Sequence, residues 1–217
     1  MTSTDAPIRA LILDLGNVLI HHDNDRLYRD LADASAGEPA VVLDALRSEG
    51  VGRMINTTDG PPSLVYEAIA PAIGFRGDLV AFSAIWNGIF TPYAAMTPII
   101  EALRGRVRLL VLSNTNAMHM DYIRAQLPVL DAFDAVLTSY ELGMMKPEAA
   151  IYRAALSVAG VAPEEAAFFD DVLGHVEGAR AAGIRGFLFT DARQFVQDLT
   201  GLALWPVPGD DNRRMLS

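Results

Sequence analysis

Residues 10–18 read ALILDLGNV, an apolar run that ends in one acid followed closely by Gly16 and Asn17. A short apolar run bounded by turn residues marks a strand buried on both faces of a parallel sheet. Asp14 then emerges at the carboxyl end of that strand, the edge at which open α/β sheets bind ligands. A lone carboxylate there raises a chemical question, because acid/base work ordinarily uses a second.

The same pattern recurs along the chain. Residues 107–112, 133–137, 166–169 and 186–189 are short apolar runs ending in polar or acidic residues. Helical patterns lie between the later runs, over 117–127, over 147–159 with Pro147 at a first helical position, and over 173–182 closing on Gly183. Strand alternating with helix predicts an α/β fold with a doubly wound, Rossmann-like parallel sheet. Residues 22–93 break the alternation. They show no strand, only helical segments at 26–34, 39–47, 64–73 and 78–90, punctuated by Gly60-Pro61-Pro62, Gly74 and Gly77. The expected organisation is a core of residues 1–21 and 94–217, with 204–217 as a flexible tail. A helical cap, 22–93, is inserted after the first strand and sits as a lid over the carboxyl ends of the strands.

The formal charge of -10 argues against a nucleic-acid partner, whose phosphates select basic patches. It leaves room for a small phosphorylated ligand, because a bound cation inverts the local field. With 0 cysteines, disulfides, thiol catalysis and cysteine-ligated zinc are excluded. No apolar run approaches the ~18 residues of a membrane span, and MTSTDAP lacks a secretory pattern. The expectation is a soluble, cytoplasmic protein with no membrane partner, its oligomeric state left open. The basic residues are arginines with one exception, Lys146. A solitary lysine in such a background points to a site that needs a compact ammonium rather than a guanidinium fork.

Four groups lie just past four proposed strands: Asp14; Ser113-Asn114-Thr115; Lys146; and Asp170-Asp171. A sheet brings them to one edge, where they supply a nucleophile, hydroxyl and amide donors, a cation, and a carboxylate pair suited to a hard metal ion such as Mg²⁺. Each alone reads as a turn or a cap. Together, in this order, they read as a site.

The segments LILDLGNVL, LLVLSNTN, LGMMKPEAAIY and FFDDVLGHVEGARAAG resemble, in order, the four motifs of the haloacid dehalogenase-like hydrolases. The resemblance spans about residues 8–195 and is nearest to the branch of α-D-glucose-1-phosphate phosphatase, with the phosphatase domain of soluble epoxide hydrolases as a related branch. It implies a phosphatase in which Asp14 forms an aspartyl-phosphate. It also implies that Mg²⁺ is held by Asp14, the Gly16 backbone carbonyl and Asp171. Ser113 and the Asn114 amide would bind the phosphoryl oxygens, and Lys146 would neutralise charge. Asp170 would either join the metal or orient Lys146, and the second role is favoured.

Two positions depart from that pattern. Phosphatases of this kind commonly read Asp-x-Asp, and here the second acid is Gly16. Its carbonyl can still bind metal, but the general acid/base is missing. His175 stands where asparagine is usual and reads as a structural substitute, with proton transfer as its other possible role. Further proton-transfer candidates are His21, His22 and Asp23, which as hinge residues mostly read as solvated. His119 lies near a helix start and either faces the pocket or caps something. Trp86 and Phe90 read as packing within the lid. A sugar phosphate whose anomeric oxygen leaves readily suits the missing acid. The alternatives are a metal-independent dehalogenase-type hydrolase, which has no use for an Asp-Asp pair, and a slow or silent phosphate-binding member of the fold.

Overall fold

The computed structural model describes residues 6–126 and 128–205. The chain opens with β1 (Ala10–Leu13), whose four side chains are all buried. A tight turn then leads into β2 (Ile20–His22). Five helices follow: α1 (Asn24–Asp33), α2 (Pro39–Arg47), α3 (Glu49–Thr57), α4 (Ser63–Ile73) and α5 (Leu79–Asn87). Asp23 and Asp78 cap the first and last of these by accepting from backbone amides three residues on. The chain returns through β3 (Phe90–Pro92), which pairs antiparallel with β2.

From there strand and helix alternate: α6 (Met96–Leu103), β4 (Arg108–Ser113), α7 (Ala117–Gln126), β5 (Ala135–Thr138), α8 (Ser139–Leu142), α9 (Ala149–Ala159), β6 (Ala166–Asp170), α10 (Leu173–Ala181), β7 (Arg185–Leu188) and α11 (Ala192–Gly201). The main sheet is parallel, in the order β5-β4-β1-β6-β7. Successive residues along β1 serve opposite faces. Leu11 and Leu13 pack with Met96, Ile100, Phe195 and Leu199, whereas Ala10 and Ile12 pack with Ile151, Tyr152 and Ala155. This period of two produces helix–sheet–helix layers. Strand β1 lies between β4 and β6, so its carboxyl end falls where the chain order reverses, the ligand crevice of open α/β sheets.

Helices α1–α5 bury a separate apolar cluster built on Leu27, Leu31, Ile69, Phe82 and Trp86. Met118 of α7 belongs to that cluster, and Arg53 of α3 donates to Glu148 at 2.7 Å, so this layer rests on the strand ends.

The structure differs from the sequence expectation in several places. Residues 22–93 do contain strand, because β3 lies at their end; a three-residue strand containing Pro92 carries no period-two signal. The helix expected over 78–90 stops at Asn87, before Gly88. Helix α3 was not expected, since Gly50 and Gly52 lower its propensity. Pro147 lies outside α9, which starts at Ala149 after an extended Glu148. Of the expected tail, Trp205 is buried against the α6 and α11 face, and 206–217 lie outside the described residues. Among the described residues no helix is long and apolar enough to cross a membrane.

Candidate active site

The backbone amide of Asp14 donates to the Phe169 carbonyl at 2.9 Å, which fixes the acid between β1 and β6. Its carboxylate meets Lys146 Nζ at 2.8 Å, and the same ammonium meets Asp170 Oδ2 at 2.6 Å. Lys146 is 1% exposed and Asp170 0%, so one buried cation bridges two buried carboxylates. Burial alone would lower the lysine pKa, but the two carboxylates outweigh it and the net direction is up. For Asp14 burial wins: despite Lys146 its pKa is raised to about 6, with the Asp170 charge contributing. Asp170 is held low, because the His175 and Lys146 contacts overcome its burial.

Asp170 has further partners. Its Oδ1 accepts from the Val172 amide at 2.8 Å and lies 3.0 Å from His175 Nδ1. Tyr152 Oη donates to the His175 carbonyl at 2.7 Å. His175 therefore braces Asp170 through Nδ1.

Strand β4 delivers Ser113, Asn114 and Thr115. Asn114 is joined twice to the backbone of Lys146: its Nδ2 donates to the carbonyl at 2.9 Å, and its Oδ1 accepts from the amide at 2.8 Å. Ser139, fully buried, braces the same loop by accepting from Thr115 N and donating to Thr115 O, both at 3.0 Å.

The turn after β1 places Gly16 and Asn17. Asn17 has φ +54°, a conformation asparagine tolerates better than most residues, and its Nδ2 donates to Asp171 at 2.9 Å. Carboxylate oxygens of Asp14, Asp170 and Asp171 lie within 4.8 Å of one another. An all-oxygen set of this kind fits a hard divalent cation. Asp170 is already committed to Lys146 and His175, which leaves Asp14 and Asp171 as the freer pair.

Asp14, Ser113, Asn114, Asp171 and His175 border a cavity of about 370 Å³ beneath the helical layer, with Lys146 and Asp170 buried behind Asp14. Its floor holds Asp14, Gly16, Asn17, Ser113 and Asp171, and Tyr28, Ile55, Trp86 and Phe90 line it from above. Trp86 and Phe90, read from sequence as lid core in preference to substrate wall, do both: they pack in the helical layer and wall this cavity. His119 faces the cavity, as one of its two expected roles had it, and does not cap: Asn116 Oδ1 accepts from its backbone amide at 3.1 Å, and its ring stacks on Trp86, with centroids 5.2 Å apart. Burial pushes His119 down to about 3, so the imidazole is neutral. Its Nε2 and Trp86 Nε1 are buried and lack hydrogen-bond partners; the Trp86 carbonyl faces the His119 ring without reaching bonding geometry.

The hinge candidates separate. His21 is exposed and packs on Tyr93, ring centroids 4.3 Å apart. Asp23 is spent on the α1 cap. Neither lines the cavity, because alternate residues of β2 face opposite ways. His22 does line it, and burial holds its pKa below the usual histidine range against the pull of Asp171. Sequence reading passed over Asn17 and Ser139. An asparagine directly after a turn glycine was a usable signal for the first; nothing local marked the second.

Comparison with known proteins agrees with this geometry. The family model described as haloacid dehalogenase-like hydrolase matches residues 8–183. The chain is 34% identical over 116 residues to a phosphatase of Mycobacterium tuberculosis, covering 51% of this chain and 54% of that protein, about half its length. It is 22% identical over 200 residues to D-ribitol-5-phosphate phosphatase of Bacteroides thetaiotaomicron, covering 89% and 97%. A solved haloacid dehalogenase-family enzyme from the same organism, in complex with magnesium and inorganic phosphate, superposes with TM-score 0.77 at 25% identity, covering 84% and 94%.

Proposed function

The chain belongs to the haloacid dehalogenase-like hydrolases, and on that premise we propose that it is a magnesium-dependent phosphatase of small phosphorylated metabolites, with sugar and sugar-alcohol phosphates as the favoured class. The observation that carries this is Asp14, backed by the buried Lys146–Asp170 pair, bordering the same cavity as Ser113, Asn114 and Asp171. The family also includes dehalogenases; the carboxylate cluster around Asp171 favours the phosphatase reading, since halide release needs no metal. The alditol-phosphate activity named for the Bacteroides relative supports the substrate class.

Asp14 attacks phosphorus, the alcohol leaves, and water then hydrolyses the aspartyl-phosphate, so one hard displacement becomes two easier ones. Lys146 sits beside the attacking oxygen and offsets charge as two anions converge. Ser113 and the backbone amide of Asn114 would take the phosphoryl oxygens, the Asn114 side chain being committed to the Lys146 backbone. Asp14, the Gly16 carbonyl and Asp171 would hold Mg²⁺. When bound, it would neutralise repulsion between carboxylate and phosphate.

The test is phosphate release from a panel of sugar, polyol, nucleoside and amino-acid phosphates. Turnover is expected with Mg²⁺, suppressed by EDTA, restored by added Mg²⁺ and abolished in Asp14→Asn. Turnover that survives Asp14→Asn, halide release without metal, or a lasting aspartyl-phosphate without turnover each overturns the proposal.

A further inference from the structure

We propose that His22 occupies the seat of the side chain that Gly16 lacks and relays the proton to the leaving-group oxygen. The inference rests on the phosphatase reading and adds the component that reading leaves open. A Cβ built on Gly16 would stand 3.1 Å from both Nδ1 and Cε1 of His22. That is tighter than ordinary van der Waals contact, so the imidazole fills the space a residue-16 side chain would claim. Both residues border the cavity that holds Asp14 and Ser113, and the ring edge carrying Nδ1 is the one turned to the Gly16 position, two residues from Asp14.

Other proton-bearing side chains border the same cavity. Asp171 accepts from Asn17. His119 has its Nε2 buried and its ring stacked on Trp86. His175 is held through Nδ1 by Asp170, and Tyr28 reaches the cavity from the helical layer; these two are the rivals, and neither lies against the Gly16 position as His22 does.

The protons and electrons balance through a neutral ring. As an Asp14 oxygen bonds to phosphorus, the bond from phosphorus to the alcohol oxygen breaks and its electron pair stays on that oxygen. The oxygen takes the proton from the ring nitrogen facing it, while the other nitrogen takes one from solvent. In the second half, water adds to phosphorus and its proton returns to solvent by the reverse relay. The Asp14 carboxylate is released. The products are alcohol and inorganic phosphate, and the imidazole is neutral at both ends.

The test compares two leaving groups on one enzyme. p-Nitrophenol leaves without a proton, whereas an alkyl alcohol such as that of glycerol 3-phosphate needs one. His22→Ala is expected to lower kcat for the alkyl phosphate by about 10²–10⁴ and for p-nitrophenyl phosphate by less than about tenfold. His22→Gln, which keeps a donor but cannot relay, is expected to give the same split. The double variant Gly16→Asp/His22→Ala returns a carboxylate to the vacated seat and is expected to recover alkyl-phosphate turnover above His22→Ala. Equal losses on both substrates, no loss on either, or the selective loss appearing in Tyr28→Phe or His175→Asn instead would overturn the proposal. These results differ from failure of the phosphatase reading, in which the unmutated protein and Asp14→Asn are equally inactive on both substrates. Thermal melting of each variant confirms that folded protein is being compared.

Discussion

The side chain of Asn114 grips the main chain of Lys146 at both its amide and its carbonyl, at 2.8 and 2.9 Å. Two loops from different strands are thereby clamped at the point where the ammonium must be aimed. Asn114→Ala leaves two backbone groups to find water or go unpaired, which costs about 1–3 kcal/mol per group. The expected outcome is a lower urea midpoint and a fall in kcat larger than any change in KM, measured with the best substrate of the panel.

Removing the ammonium itself has a different signature. Lys146→Met leaves Asp14 and Asp170 facing each other in a buried site, and breaking such a pair costs about 3–5 kcal/mol. The loss is expected to shrink near pH 5, where a carboxylate escapes the repulsion by taking up a proton. Denaturation of both proteins at pH 7.5 and pH 5 reads the difference. Lys146→Arg should not restore activity, because a planar fork cannot occupy the space of a compact ammonium.

Acid sensitivity should trace in part to His119. Burial pushes it to about 3 in the folded protein, against 6.5 for an ordinary histidine. Between those values the unfolded chain binds a proton that the folded chain refuses. Stability from this residue is therefore full above pH 6.5 and is lost as pH falls toward 3, at a limiting slope of about 1.4 kcal/mol per pH unit. Urea midpoints from pH 7 to pH 4 should fall less steeply in His119→Gln than in the unmutated protein. Parallel slopes would refute the assignment.

Asn17 combines a backbone role with a side-chain role, and two substitutions separate them. Asn17→Gly keeps the positive φ but loses the bond to Asp171, so Mg²⁺ affinity by calorimetry should weaken while stability changes little. Asn17→Ala loses the same bond but keeps a Cβ in the left-handed region, without the local side-chain hydrogen bonding that helps asparagine there, at a cost of about 1–2 kcal/mol relative to the glycine variant. The alanine variant should melt below the glycine variant.

How much of this was legible in the sequence follows from which forces are local. Strand β1 declared itself because burial on both faces demands an unbroken apolar run, and Asp14 stood out by ending it. Helix α2 was found from Pro39 and its apolar spacing, whereas α3 hid behind two glycines whose helical state is imposed by packing. Among the site residues, Lys146 was conspicuous as the lone lysine. The pairing of His22 with Gly16 could not be read, because it depends on β2 turning back across the end of β1. The division of labour among His21, His22 and Asp23 is equally tertiary, since it follows from which way β2 faces. Ser139 looks like any turn serine until the fold lays it against Thr115.

The buried bridge at Lys146 has a practical consequence outside catalysis. The sequence holds one lysine among its arginines, so the protein carries a single side-chain amine, and that amine is buried between two carboxylates. Amine-directed reagents should find almost no side chain to modify while the cavity is closed. Slow acylation at this one position, followed by mass spectrometry, would act as an intrinsic clock for opening of the site, with no engineered label to disturb it.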